Sequence, residues 1–130
     1  MLLPVTMSLA AACALITFWL MMRCGQTRVQ RKILHGDGGD PLMMQRMRAQ
    51  LNFVESAPFV LALVALVELA DKGGKWLPFV AGIYVIGRIL HPLGMDRADS
   101  NWLRGAGVGI TMLTLVGMAV YAALVGAGVL

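Results

Sequence analysis

The sequence predicts an all-α integral membrane protein, a bundle of four membrane-crossing helices. Three observations predict it. Of the 130 residues, 58% are hydrophobic and only 14% charged, against about 25% charged in an ordinary soluble domain. Mean hydropathy is +0.74, too apolar for a water-covered globule or a disordered chain. The apolar residues also gather into four runs, at approximately 2–22, 48–70, 76–92 and 104–128. Each is close to the roughly 20 helical residues that cross a bilayer core. With no repeat and no low-complexity tract, residues 1–130 read as a single transmembrane domain.

The first run carries no charge. It has no basic leading segment and no small-residue cleavage site before Arg23, so it reads as a retained helix rather than a cleaved signal. A basic loop over 23–47 follows, holding Arg23, Arg28, Arg31, Lys32 and Arg46 around the turn signal His35-Gly36-Asp37-Gly38-Gly39-Asp40-Pro41. The second run contains Pro58, which removes an intrahelical hydrogen bond and can bend the helix. Asp71-Lys72-Gly73-Gly74-Lys75 is a short hairpin to the third run, and a loop over 93–103 carries Asp96, Arg97 and Asp99. The fourth run begins at Arg104 and then has no charge. It holds Gly105, Gly107, Gly109 and Gly117, the first and third in GxxxG spacing, a pattern that lets helices approach closely in lipid. Trp19, Trp76 and Trp102 each fall near a predicted helix end, as an interfacial aromatic belt requires.

Eleven Lys and Arg against seven Asp and Glu give a formal charge of +4. Alternation of four helices puts every arginine and Lys32 on one side and only Lys72 and Lys75 on the other. The positive-inside rule then places loops 23–47 and 93–103 in the cytoplasm of a bacterial-type inner membrane, with both termini outside. The same asymmetry accounts for the basic composition without nucleic acid. Cys13 and Cys24 have no metal-ligand spacing around them and read as small apolar fillers; no metal site is expected.

The informative residues are polar groups inside apolar runs, because a charge at mid-bilayer costs at least about 2.5–3.5 kcal/mol. The second run opens Arg48-Ala-Gln-Leu-Asn52-Phe-Val-Glu55-Ser-Ala-Pro58. At 100° per residue, Arg48, Asn52 and Glu55 share an arc of about 60°. The third run ends Tyr84-Val-Ile-Gly-Arg88-Ile-Leu-His91-Pro92, where i, i+4, i+7 spacing puts Tyr84, Arg88 and His91 on one face. Two such faces turned into the bundle would make a cationic cup at its arginine-rich end. An internal ion pair from Glu55 to Arg48 or Arg88 is the plain structural alternative. The surplus of positive charge favours an anionic guest instead. Arg23 and Arg46 read as topology determinants, and His35 as a loop residue.

The segment from Arg48 to Pro58 resembles the second-helix signature of the MAPEG family, the membrane-associated proteins of eicosanoid and glutathione metabolism. Gly87-Arg88-Ile-Leu-His91 is similar to the third-helix segment of its microsomal prostaglandin E synthases, and Gln26-Thr-Arg28-Val-Gln-Arg31-Lys32 to the basic stretch after the first helix. The spacing from His91 to Arg104 is similar to that of the family's thiol-activating arginine at the start of the fourth helix. The resemblance implies a homotrimer binding glutathione between subunits near the cytoplasmic face. It implies that Glu55 holds the γ-glutamyl amino group, that Arg48, Asn52, Tyr84, Arg88 and His91 line the pocket, and that Arg28 meets a carboxylate. Arg104 would favour the thiolate for attack on a lipophilic electrophile or hydroperoxide. Where the prostaglandin synthases have a tyrosine one turn after the histidine, this sequence has Met95, which implies a general transferase or peroxidase rather than a prostanoid enzyme. Two other classes compete: a small multidrug-type transporter and a non-enzymatic membrane assembly subunit. The transporter's essential first-helix glutamate has no counterpart in a first run free of charge.

Overall fold

A computed structural model describes all residues, Met1–Leu130. It contains four helices and no strand: α1 (Pro4–Arg31), α2 (Pro41–Leu69), α3 (Leu77–Met95) and α4 (Trp102–Gly126). All four are long and apolar enough to cross a membrane. The all-α four-helix bundle is therefore the fold. Prolines open α1, α2 and α3, where the missing N–H has no intrahelical acceptor to lose. Asp40 caps α2 by accepting from Met43 N at 2.9 Å, and Asn101 caps α4 by accepting from Arg104 N at 3.1 Å. Helix α1 stops where Lys32 turns left-handed, with φ 55°.

The connecting loops are shorter than hydropathy predicts. Loop 23–47 shrinks to residues 32–40, and loop 93–103 to 96–101. Arginines end an apolar run without ending a helix, since straight-chain residues are good helix formers. The true stops are Lys32 and the caps at Asp40 and Asn101. Helix α2 is continuous through Pro58. Trp19 consequently lies inside α1, with the Arg23 guanidinium 4.9 Å from its ring centre. Trp76 and Trp102 do stand at helix starts.

Each helix buries one stripe at alternating spacings of four and three residues. The stripes are Leu9, Cys13, Ile16 and Leu20 on α1, and Phe53, Ala57, Val60, Val64 and Val67 on α2. Helix α3 buries Leu77, Ala81, Tyr84, Arg88 and His91, and α4 buries Gly107, Thr111, Thr114 and Met118. A seven-residue repeat of this kind belongs to helices crossing at shallow, left-handed angles. Only 28 of 130 residues are buried, so side chains such as Phe18, Phe79 and Leu113 face outward, an arrangement that acyl chains satisfy and water does not. Helices α2 and α3 form the central pair. Helix α1 packs on both and α4 packs on both, but α1 and α4 do not touch each other.

The closest approach is between α3 and α4. A Cβ added at Gly107 would sit 2.6 Å from His91 Cβ and 2.8 Å from Gly87 O, and one at Gly87 would sit 2.7 Å from Ile110. The GxxxG pair does not make this seam. Gly105 and Gly109 face open space, because Gly107 lies between them on the opposite side of the helix. At the hairpin end, the Glu68 carboxylate accepts from Val5 N, Thr6 N and Thr6 Oγ1 at 2.7–2.9 Å, fastening the start of α1 to the end of α2.

Candidate functional site

At the arginine-rich end the buried stripes change character. Leu20 gives way to Arg23 and Thr27 on α1, and Tyr84 to Arg88 and His91 on α3. Beside them a cavity of about 180 Å³ is lined by Arg48, Leu51, Asn52, Glu55, His91, Met95, Arg104 and Val108. Three helices build it. Helix α2 supplies the Arg48–Asn52–Glu55 ladder, α3 supplies His91, and the first turn of α4 supplies Arg104.

Five of the expected site residues thus meet: Arg48, Asn52, Glu55, His91 and Arg104. They do not form a closed inward cup. Arg48, Glu55 and Arg104 are exposed and Asn52 is half-buried, so the ladder opens on the flank of the bundle. The reason is angular: the α2 face that meets the other helices carries Phe53, Ala57 and Val60, leaving the polar ladder to one side. Glu55 makes no ion pair with Arg48, Arg88 or any other group. Its carboxylate and the Arg48 and Arg104 guanidinium groups are left without charged partners in the chain.

Tyr84 and Arg88 lie deeper. Both are fully buried and neither lines the cavity. The Tyr84 hydroxyl is 3.3 Å from Ser56 Oγ. Arg88 Nη1 donates to Thr111 Oγ1 at 2.8 Å, Thr111 donates in turn to Gly107 O, and the guanidinium lies 5.6 Å from the Phe53 ring centre. Arg88 Nε and Nη2, His91 Nδ1 and Asn52 Oδ1 have no hydrogen-bond partner. An unpaired guanidinium in a bundle interior is costly, and its positive field falls on the neighbouring cavity wall, where His91 is one turn away. Arg28 stands elsewhere: its Nη1 donates to Gly36 O at 2.8 Å, and it borders a separate groove with Lys32 and Leu34.

Arg23 and Arg46 do more than set topology. Both pair with Asp96, and Arg46 Nη1 also donates to Arg23 O at 3.1 Å and Thr27 Oγ1 at 2.9 Å. This knot ties α1 and α2 to the loop before α4. Sequence reasoning missed it because pairing across 50 residues leaves no local signal. Leu51 and Val108 were missed as cavity residues because apolar side chains in a membrane protein carry no mark of function, while Met95, noted as the counterpart of a family tyrosine, does line the cavity. Cys13 lies in the core and the Cys24 thiol faces Gln50 Oε1 at 3.3 Å. No group of three metal-ligating side chains forms.

In a family-level comparison, residues 6–124 match the MAPEG family. The chain belongs to the MAPEG family. The match contains all four helix cores and every residue of the cavity. The chain is 28% identical over 90 residues to the inner membrane protein YecN of Escherichia coli strain K12, spanning 68% of this chain and 67% of that one. The YecN protein of Escherichia coli O6:H1 strain CFT073 matches with the same identity and coverage. Four membrane-crossing helices and an inner-membrane relative make this MAPEG chain a multi-pass inner-membrane protein.

Proposed function

We propose that this protein is a glutathione-dependent transferase or peroxidase that acts on lipophilic electrophiles or hydroperoxides. The observation that carries the reading is the charge pattern of the cavity: Arg48 and Arg104, His91 and Asn52 around one unpaired carboxylate, Glu55. Glutathione has two carboxylates, one ammonium and a thiol. Arginines suit the carboxylates through charge-assisted hydrogen bonds, and Glu55 suits the ammonium. Arg104 stands in the first turn of α4, so its guanidinium and the positive end of the helix dipole act in the same place. Both favour a thiolate over a thiol, and the thiolate is the nucleophile. Arg88 supplies positive potential from beneath without contact.

Size supports a composite site. About 180 Å³ is below the roughly 300–1,000 Å³ of a small-molecule pocket, and the cavity opens on the subunit's flank. We infer a homotrimer in which a neighbouring subunit supplies the missing wall, with its Arg28 meeting a glutathione carboxylate. The arginine-rich end then faces the cytoplasm and both termini lie outside, as the charge asymmetry favours.

The test is glutathione binding to detergent-purified protein, followed by assays of conjugation and hydroperoxide reduction. At one hundred times Kd a ligand stabilises by about 2.7 kcal/mol, a readable rise in melting temperature. A protein that shows neither stabilisation nor thiolate absorbance with glutathione refutes the reading. In that case the transporter and assembly-subunit alternatives stand.

A further inference from the structure

In the proposed reaction Arg104 must hold its charge at one place, yet its side chain makes no hydrogen bond and no ion pair in the chain. A free arginine side chain carries about 2 kcal/mol of rotamer entropy. With nothing holding the side chain, the backbone sets the point from which the guanidinium reaches and so bounds the region it samples.

That backbone is held by two contacts. Asn101 Oδ1 accepts from Arg104 N at 3.1 Å, while Asn101 Nδ2 donates to Gly94 O at 2.8 Å and to Asp99 O at 3.2 Å. One amide thus straps the last turn of α3 to the first turn of α4. Gly94 is the seat: a Cβ there would collide with Arg104 N and come within 2.8 Å of Arg104 Cα and Asn101 Oδ1. The neighbouring Met95 and His91 line the same cavity as Arg104, so the strap fixes the distance between its α3 and α4 walls. Asp96, the cap residue of α3, is engaged by Arg23 and Arg46. Its carboxylate is thereby occupied rather than free to neutralise Arg104.

We propose that Asn101 is the positioning residue for Arg104 and that Gly94 is selected as glycine to seat it. The inference rests on the glutathione reading above. An ordinary N-cap needs only the acceptor oxygen. The amide nitrogen, reaching across to another helix, is the part a cap does not require.

The experiment measures glutathione thiolate absorbance against pH on full-length detergent-purified protein, with glutathione affinity measured separately. Asn101→Ser keeps a capping oxygen and loses the cross-helix donor; Asn101→Ala loses both; Gly94→Ala displaces the seat. In all three the ionisation midpoint of bound glutathione rises by about one pH unit, a tenfold loss of thiolate below both midpoints. Measured below both midpoints, where glutathione is bound as the thiol, affinity stays within about threefold, because Glu55 and Arg48 are untouched. A residue with only a structural role would lower melting temperature in these variants and leave the midpoint in place. Asn101→Ser and Gly94→Ala midpoints equal to wild type, alongside an Arg104→Ala variant that loses the thiolate signal, overturn the proposal. Wild-type protein that binds no glutathione overturns the functional reading first and this inference with it, before any substitution is made.

Discussion

Replacing Gly107 by alanine is a sharp test of the α3–α4 seam. The new methyl would lie 2.6 Å from His91 Cβ and 2.8 Å from both His91 Cα and Gly87 O, where carbon atoms normally rest about 3.5–4.0 Å apart. Two of these three neighbours are backbone, and the third is a Cβ held by its backbone, so no side-chain rotation relieves the overlap. The helices must part by most of an ångström. Overpacking of this kind costs about 1–3 kcal/mol, and three simultaneous overlaps place it in the upper half. Against it stands the better helix propensity of alanine, up to about 1 kcal/mol. The overlap wins, leaving a net loss of about 1–2 kcal/mol by these two magnitudes. Gly109→Ala and Gly117→Ala meet nothing within 4 Å, so there only the propensity gain remains and the sign reverses. Reversible unfolding in mixed detergent micelles measures all three. Gly107→Ala as stable as Gly109→Ala would refute the close approach.

Further outcomes follow from other contacts. Glu55→Gln lowers glutathione affinity at least tenfold by calorimetry while leaving the melting temperature of the ligand-free protein within about one degree, since the carboxylate is exposed and unpaired. Asp96→Asn leaves the Arg23 and Arg46 charges facing each other. With the Asp96 side chain 30% exposed, the loss is discounted from the fully buried range to about 1–3 kcal/mol. A double-mutant cycle with Arg46→Gln shows the two changes to be non-additive, whereas simple addition contradicts the shared knot. Glu68→Gln weakens the clasp on the α1 start by about 1 kcal/mol, seen as faster amide exchange at Val5 and Thr6, and unchanged exchange there would speak against it.

Sequence made the bundle legible because lipid imposes so few options: four apolar runs of sufficient length leave only four helices. The helix ends were less legible, since Arg28 and Arg46 look like loop residues to a hydropathy count and yet lie within α1 and α2. The stop signals at Asp40 and Asn101 were present as capping residues. Within the site, ionisable residues stood out because a membrane interior tolerates them only for a reason. Spacing showed that Arg48, Asn52 and Glu55 share a face. It could not show which way the face turns, because Phe53 and Ala57 on the adjoining face are as apolar as lipid-facing neighbours such as Val54. Asp96 was legible only as a loop charge, its partners Arg23 and Arg46 lying on helices distant in sequence.

The gradual replacement of aliphatic by ionisable groups along the packed stripes divides labour across the thickness of the bilayer. Cohesion resides in the leaflet nearest the hairpin, where Val60, Val64, Val67 and Leu77 interlock. The opposite end is the polar one, where buried atoms of Asn52, Arg88 and His91 have no hydrogen-bond partner. Breathing motions should begin there, at the weaker half, so occupancy by a charged molecule would quiet the end of the protein that most needs it.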